Sequence, residues 1–362
     1  MKIDEQNILF LTRTMDLGGT ENVILQLCEI FKDRAHKIVV CSSGGLNENK
    51  LNFMGIKHYT IPDITDKNFF TMVKVVCSLI KIVKNEKITV IHTHHRMAAF
   101  YVAILHLYKK CIFINTCHNT FEDKVELTRL SYKHCHLIAC GRTVKDNLIE
   151  KFRIPEKQIS IVHNAVKPFD GKIKNDDFIQ QLHDQGNIIV GNIGRLSEQK
   201  GMEYFIKAIP GIIKKCSNTK FVIVGVGEDE QKLKEISKKL KIEDCLFFLG
   251  YREDIQNLIA QLDLIVISSL WEGLPLTPIE TFSTGKTIVA TEVGGTAEIV
   301  TDKYNGLLVR KKNVGDLEAA VSNLIQDKCR RKQYEENALK TYNEEFSFKA
   351  FSENYLKEYT GI

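Results

Sequence analysis

Short apolar runs rich in Val, Ile and Phe recur along the whole chain, separated by longer segments whose apolar residues fall at helical spacing. In the first half NILFLT (7–12), KIVVCSS (37–43), ITVIHTH (88–94), CIFINTCH (111–118) and HLIACG (136–141) predict strands. Between them, ENVILQLCEIF sets Val23, Leu27, Ile30 and Phe31 on one helical face, and TMVKVVCSLIKIVK does the same with Val75, Leu79, Ile82 and Val83. Strands that are apolar throughout, not alternating, belong to parallel sheets covered by helices on both faces. The polar stretch VKPFDGKIKNDDFIQQLHDQGN (166–187) interrupts this pattern. It restarts with NIIVGNIG (187–194), KFVIVGVG (220–227), CLFFLG (245–250), LDLIVISS (262–269), KTIVAT (286–291) and GLLVR (306–310). The expected fold is α/β: two doubly wound domains, 1–166 and 187–340, joined by a linker at 167–186. Ligands of such sheets bind at the carboxyl ends of the strands, so the chemistry is expected in the loops that follow them.

Composition adds a compartment and a charge asymmetry. The longest apolar runs fall short of the roughly 18–20 residues that span a bilayer, and the N-terminus lacks the pattern of a cleaved signal, so a cytoplasmic protein is expected. The ten cysteines include no C-x-x-C pair and mostly sit in apolar segments, as reduced buried thiols do. Residues 1–165 carry 23 Lys+Arg against 16 Asp+Glu, the remainder 27 against 29. The first half therefore either meets something anionic, such as a membrane surface, or simply presents a solvated basic face.

Several loops after strands carry candidate chemistry. In TRTMDLGGTEN, Gly18 and Gly19 let the backbone approach a ligand, and Thr20 is placed to cap a helix beginning near Glu21. The same pattern is also an ordinary turn and cap, and it lacks the G-x-G-x-x-G of a dinucleotide fold. His92, His94 and His95 lie close together, but the pattern has no helix-spaced carboxylate partner and no metal is expected. His118 ends a strand where an imidazole reaches outward, or it is a structural histidine. GRLSEQKG (194–201) offers Arg195 and Lys200, two cations suited to clamp a diphosphate or to face solvent. IVGVGEDE is a glycine turn with an acidic continuation, read as structural or as pocket lining.

SLWEGLPLTPIETFSTG (269–285) sets Glu272 and Glu280 on either side of a loop with two prolines. Thr277, Pro278 and Glu280 fit N-cap, N1 and N3 of a helix, which makes a capping box. That accounts for Glu280 alone. Glu272 precedes the helix, where a solvated carboxylate is the ordinary outcome, yet it ends a buried strand on a loop leading into a positive helix end.

The ordered set of GG in the first loop, His118, G-R-L-x-x-x-K-G and E-x7-E resembles the family-4 retaining glycosyltransferases of the GT-B fold, across nearly the whole chain. VHNAV (162–166), TEVGGTAEIV and NGLLV are similar to that family as well. The resemblance implies two Rossmann-like domains facing across a cleft, acceptor bound by the first and nucleotide sugar by the second, with residues 341–362 forming a helix that crosses back to the first. It implies that Arg195 and Lys200 neutralise the departing diphosphate without metal or cofactor, and that Gly18 and Gly19 bring amides to it. It further implies Glu280 on the ribose, Glu272, Gly273, Leu274, Pro275, Leu276 and Thr277 around the transferred sugar, and His118 near the anomeric carbon. The donor it implies is UDP-linked, with a saccharide or lipid-diphosphate-linked saccharide acceptor of surface polysaccharide synthesis and no nucleic acid. Two other classes fit the same architecture: a nucleotide-sugar epimerase, and a non-catalytic nucleotide-sugar-binding subunit. A nicotinamide dehydrogenase is disfavoured by the broken glycine fingerprint.

Overall fold

The computed structural model describes residues 2–361. Met1 and Ile362, the outer bounds of the first and last segments expected from sequence, lie outside the described residues. The chain divides into two compact units: one runs to Asn164 and takes in the stretch from Phe351 onward, and the other is Ala165–Ala350.

In the first unit, β1 (Asn7–Leu11), β2 (Lys37–Ser42), β3 (Lys57–Thr60), β4 (Val90–Thr93), β5 (Ile112–Cys117), β6 (His136–Ala139) and β7 (Ile159–Ile161) form one sheet in the order 3-2-1-4-5-6-7. All its pairings are parallel. In the second, β8 (Ile188–Ile193), β9 (Thr219–Val224), β10 (Leu246–Phe248), β11 (Leu264–Ile267), β12 (Ile288–Thr291) and β13 (Gly306–Val309) form a parallel sheet in the order 10-9-8-11-12-13. Each unit is a Rossmann-like α/β layer structure.

The continuous apolar runs are buried on both faces: every residue of β1, β4, β11 and β12 is buried. Fully burying each such Val, Ile or Leu is worth about 1.5–3 kcal/mol. Helices Gly19–Phe31 and Phe69–Asn85 bury the faces expected of them, except that Val83 is only half-buried. In the second unit Phe205, Phe221, Val266, Val289 and Val321 belong to one apolar core.

Three features of the fold depart from expectation. Segment 167–186 is more than a connector: Asp177–Asp184 is a helix whose Ile179 and Leu182 are buried. Asp176 caps it by accepting from the amides of Phe178 and Ile179 and is held by Arg252 at 2.6 Å. The strands KHYT and ISI, β3 and β7, were not expected, being short, poor in fully buried residues and at the sheet's edges. The C-terminal region is two helices, Lys328–Thr341 and Phe348–Gly361, separated by a wide turn at Tyr342–Phe346 and an extended Ser347. The second of these buries Phe351, Tyr355 and Tyr359. Among the described residues, no helix is long and apolar enough to cross a membrane.

Candidate active site

In an open parallel sheet the crevice lies where strand order reverses, between neighbours whose following connections leave in opposite directions. In the second unit that point is β8 beside β11. The loops following these two strands are GRLSEQKG and SSLWEGLP. They are stitched together: the Leu270 amide donates to Gln199 O (2.7 Å), Ser268 Oγ to Lys200 O (3.0 Å), and Asn192 Nδ2 from within β8 to Ser268 Oγ (3.0 Å). Gly201 has φ +55°, and a Cβ there would overlap the Ser268 carbonyl, so the close approach of the loops requires glycine.

The result is a pair that sequence did not place together. Lys200 Nζ donates to Glu272 Oε1 at 2.6 Å. Ser269 Oγ donates to the same oxygen at 2.7 Å, and Gln199 Nε2 reaches Oε2 at 3.4 Å. Glu272 is therefore not a solvated carboxylate: its side chain is only 5% exposed, against 22% for Lys200. Charge-assisted hydrogen bonds of this kind offset part of the cost of burying a carboxylate.

A third loop, after β12, closes on the same spot. A Cβ at Gly294 would overlap the carbonyl of Glu272, and one at Gly295 that of Gly273. The motif TEVGG is thus a backbone-packing device that fixes the Glu272–Gly273 segment. From Pro275 the chain enters the eight-residue helix Leu276–Ser283. Thr277 and Glu280 do not form a capping box. The helix begins at Leu276 with Pro275 before it, no side chain caps it, and Thr277 O instead accepts from Thr281 Oγ1 (2.8 Å). Proline is tolerated anywhere in the first turn, where amides lack intrahelical acceptors, so Pro278 did not mark N1. The Glu280 carboxyl is pushed up to about 7 by burial, with the Lys200 charge acting in the opposite direction.

Arg195 is engaged elsewhere. Its side chain is 72% exposed and pairs with Glu228 at 3.1 Å, so the two cations of GRLSEQKG meet different carboxylates. The glycine turn of IVGVGEDE is structural: a Cβ at Gly225 would overlap Gly194 O, and one at Gly227 would overlap Leu196 O.

In the first unit the corresponding reversal is β1 beside β4. The helix after β1 starts at Gly19 behind an extended Gly18; Thr20 lies inside it and is not its cap. Glu21, in the first turn, accepts from Thr14 Oγ1 at 2.9 Å, and burial raises its pKa. A Cβ on Gly18 would overlap the Glu21 carboxylate, so Gly18 makes room for that side chain. His95, after β4, caps the next helix by accepting from the Met97 amide at 3.1 Å. His92 on β4 and His94 just after it stack at 4.3 Å, and His94 Nδ1 lies 3.1 Å from His118 Nε2. His118 is therefore not a lone imidazole but the end of a histidine row. Burial holds it down at about 4. No group of His, Cys, Asp or Glu suited to a metal ion occurs among the described residues.

Sequence reasoning missed Gln199 and Ser269, and it named Glu21 and His94 without the contacts they make. The signal available was weak: each is a polar residue in or just beyond a loop following a strand next to a reversal point.

Two sheets of this topology define the GT-B class, and solved structures match over nearly the full length. The Anabaena protein HepE, solved with UDP and glucose, superposes with a TM-score of 0.86 at 19% identity, covering 99% of this chain and 100% of that one. WaaG, a glycosyltransferase involved in lipopolysaccharide biosynthesis, gives 0.78 at 13% identity, covering 98% and 100%. Residues 17–168 match the family Glycosyltransferase Family 4, and residues 173–341 match Glycosyl transferases group 1. The chain is 25% identical to an uncharacterized glycosyltransferase of Methanocaldococcus jannaschii over 96% of its length and 94% of the relative's. It is 26% identical to the Escherichia coli UDP-Gal:alpha-D-GlcNAc-diphosphoundecaprenol alpha-1,3-galactosyltransferase, over 86% of each chain. The protein is a glycosyltransferase of family-4 type.

Proposed function

We propose that the protein transfers a sugar from a UDP-linked donor to a saccharide or lipid-diphosphate-linked saccharide, with retention at the anomeric carbon and without metal. The observation that carries this reading is the Lys200–Glu272 pair at the β8/β11 reversal, set against the start of helix Leu276–Ser283 and beside Glu280. Only one of the three Lys200 N–H groups is committed to Glu272, which leaves donors for the phosphate oxygens. The charge that grows on the departing diphosphate is met there by a fixed cation, the kind of preorganised stabilisation that lowers a barrier most. Arg195 joins it by exchanging Glu228 for phosphate, and the Gly18–Gly19 amides are further donors for the diphosphate in this reading. Glu280 accepts from the ribose hydroxyls; Glu272 and the backbone from Gly273, Leu274 and Pro275 to Leu276 and Thr277 hold the sugar. His118 faces the sugar near the anomeric carbon.

The donor base is supported by the E. coli relative, named for a UDP-Gal donor and a diphosphoundecaprenol acceptor. Work at the cytoplasmic face of a membrane follows from such an acceptor and is supported by the exposed stripe of helix Phe69–Asn85. Phe69 and Phe70 are 72% and 73% exposed there, next to exposed Val73 and Ile80. Exposed Lys74, Lys81 and Lys84 complete the stripe, and the helix contains no acidic residue. Apolar anchors among cations suit an anionic bilayer surface.

The test is calorimetric binding of UDP, GDP, ADP and NAD⁺ in the presence of EDTA, followed by the anomeric configuration of the transfer product by NMR. UDP bound without metal and a product of unchanged configuration support the reading. A requirement for divalent metal, preference for NAD⁺, or product from donor alone without acceptor overturns it.

A further inference from the structure

A row of aromatic side chains runs through the core of the first unit and ends at His118. Tyr359 OH lies 2.7 Å from His92 Nδ1, while His92 Nε2 lies 2.8 Å from Thr116 Oγ1, itself 3.0 Å from Tyr355 OH. Both nitrogens of His92 are thereby occupied, and its ring cannot turn without breaking two bonds. His92 stacks on His94 at 4.3 Å, and Phe10 packs against both rings at 5.6 and 6.0 Å. His94, wedged in this stack and 4% exposed, directs Nδ1 at His118 Nε2 across 3.1 Å. The two imidazoles are themselves nearly parallel, 23° apart with centroids at 5.4 Å.

A hydrogen bond between two neutral imidazoles has one donor, and its direction fixes both tautomers. Burial depresses His92, His94 and His118 alike, so all three rings are neutral. If His118 Nε2–H donated, His94 would carry its proton on Nε2, which is buried with no hydrogen-bond partner among the described residues. An N–H buried without an acceptor is the rarer and costlier defect; a bare nitrogen is the more tolerable one. His94 therefore donates from Nδ1, His118 accepts at Nε2, and the remaining proton of His118 is on Nδ1.

We propose that His94 is a positioning residue that locks His118 in the Nδ1–H tautomer, so that the imidazole offers a hydrogen-bond donor, not a base, to an oxygen of the bound sugar. This rests on the reading of His118 as a sugar contact. A hydroxyl oxygen of the sugar accepts such a donor through its lone pairs, which holds the ring in register while the negative charge of bond breaking gathers on the diphosphate. The row behind it, reaching through His92 to Tyr359 on the last helix, keeps the ring in place.

The experiment reads the tautomer without any substrate. In ¹⁵N-labelled protein, long-range ¹H–¹⁵N correlation with His118→Gln as the assignment control should show a protonated Nδ1 and a bare Nε2 for His118. The reverse pattern, or an averaged one, overturns the proposal whatever His118 does in transfer. The His94→Asn variant keeps an N–H close to the position of Nδ1 and should retain the His118 pattern, with kcat within about threefold of the parent. The His94→Leu variant should average the two tautomers and lower kcat at least tenfold while the donor KM changes less than threefold. Should His94→Leu not fold, the wild-type spectrum and His94→Asn still decide the matter. Loss of donor binding in wild type, by contrast, would indict the glycosyl-donor reading and leave the tautomer result standing.

Discussion

Lys200 and Glu272 stand 72 residues apart in the chain and 2.6 Å apart in the fold, and the carboxylate is the more deeply buried of the two. This ordering matters for any test of the site. Replacing Lys200 with Ala strands a buried carboxylate, a change that costs roughly 3 kcal/mol, with the lysine's partial exposure favouring the low end. Lys200→Ala should therefore lower the urea midpoint as well as transfer activity, the latter by about 10²–10³-fold. The double variant Lys200→Met, Glu272→Leu should recover most of the stability and none of the activity. Recovery of activity in the double variant would show that the pair serves only the fold.

Glu280 should make the protein less stable as pH rises. Its folded value near 7 lies above the ordinary 4.5, so between those limits the native state holds the proton the unfolded chain has released. Stability contributed by the neutral form is fully present below about 4.5 and is lost as pH climbs through about 7. Glu280→Gln should remove that slope and raise Tm at pH 8 relative to the parent, while weakening UDP binding. An unchanged pH slope in thermal melts would rule out Glu280 as its source.

The histidines act in the opposite sense. His95 and His118 are held down near 4, and His92 and His94 lie well below their ordinary 6.5, chiefly through burial. Their neutral forms belong to the folded state, so the stability they carry is present above about 6.5 and drains away as pH falls toward 4. Urea unfolding at pH 5 and pH 7 should show the loss. His92→Phe should reduce it, because one buried site no longer competes for a proton.

At the stripe on helix Phe69–Asn85, Phe69→Ser with Phe70→Ser should abolish co-sedimentation with vesicles containing anionic lipid. Lys74→Glu with Lys81→Glu should do the same, and neither pair should alter binding of soluble UDP, since these side chains are exposed. Equal sedimentation with neutral vesicles would argue against the electrostatic half of the reading.

Gly295→Ala should be among the most damaging single-atom additions in the second unit. The new Cβ would meet the Gly273 carbonyl, backbone against backbone with no flexible side chain to yield, at a cost of about 1–3 kcal/mol. Donor affinity should fall with it, as the Glu272–Gly273 segment is displaced. A variant with parental Tm and affinity would refute the tight packing of these two loops.

What the sequence disclosed, and what it hid, follows from the range of the interactions involved. The apolar runs of β1, β5, β8 and β12 announced themselves because a strand covered on both faces has few polar positions to spare. KHYT of β3 did not, since an edge strand needs only one neighbour and tolerates exposure. The glycines of TEVGG drew notice only as part of a resemblance; what they do is make room for carbonyls of Glu272 and Gly273, a relationship visible only in space. Thr277-Pro278-Ile279-Glu280 shows the converse failure. It has the composition of a capping box, yet the helix starts one residue before it, so the threonine is spent inside the first turn. His118 was legible as a histidine at a strand end, whereas His94, which fixes its surroundings, had been weighed only as one of three metal candidates.

The last helix has a genetic consequence. The chain leaves the first unit after Asn164 and returns to it at Phe351, bringing Tyr355 and Tyr359 to Thr116 and His92. A nonsense mutation between codons 351 and 361 would therefore spare the unit just translated and damage the one synthesised first. For the same reason, an N-terminal fragment ending at Asn164 lacks part of its own interior and should need the missing peptide supplied in trans.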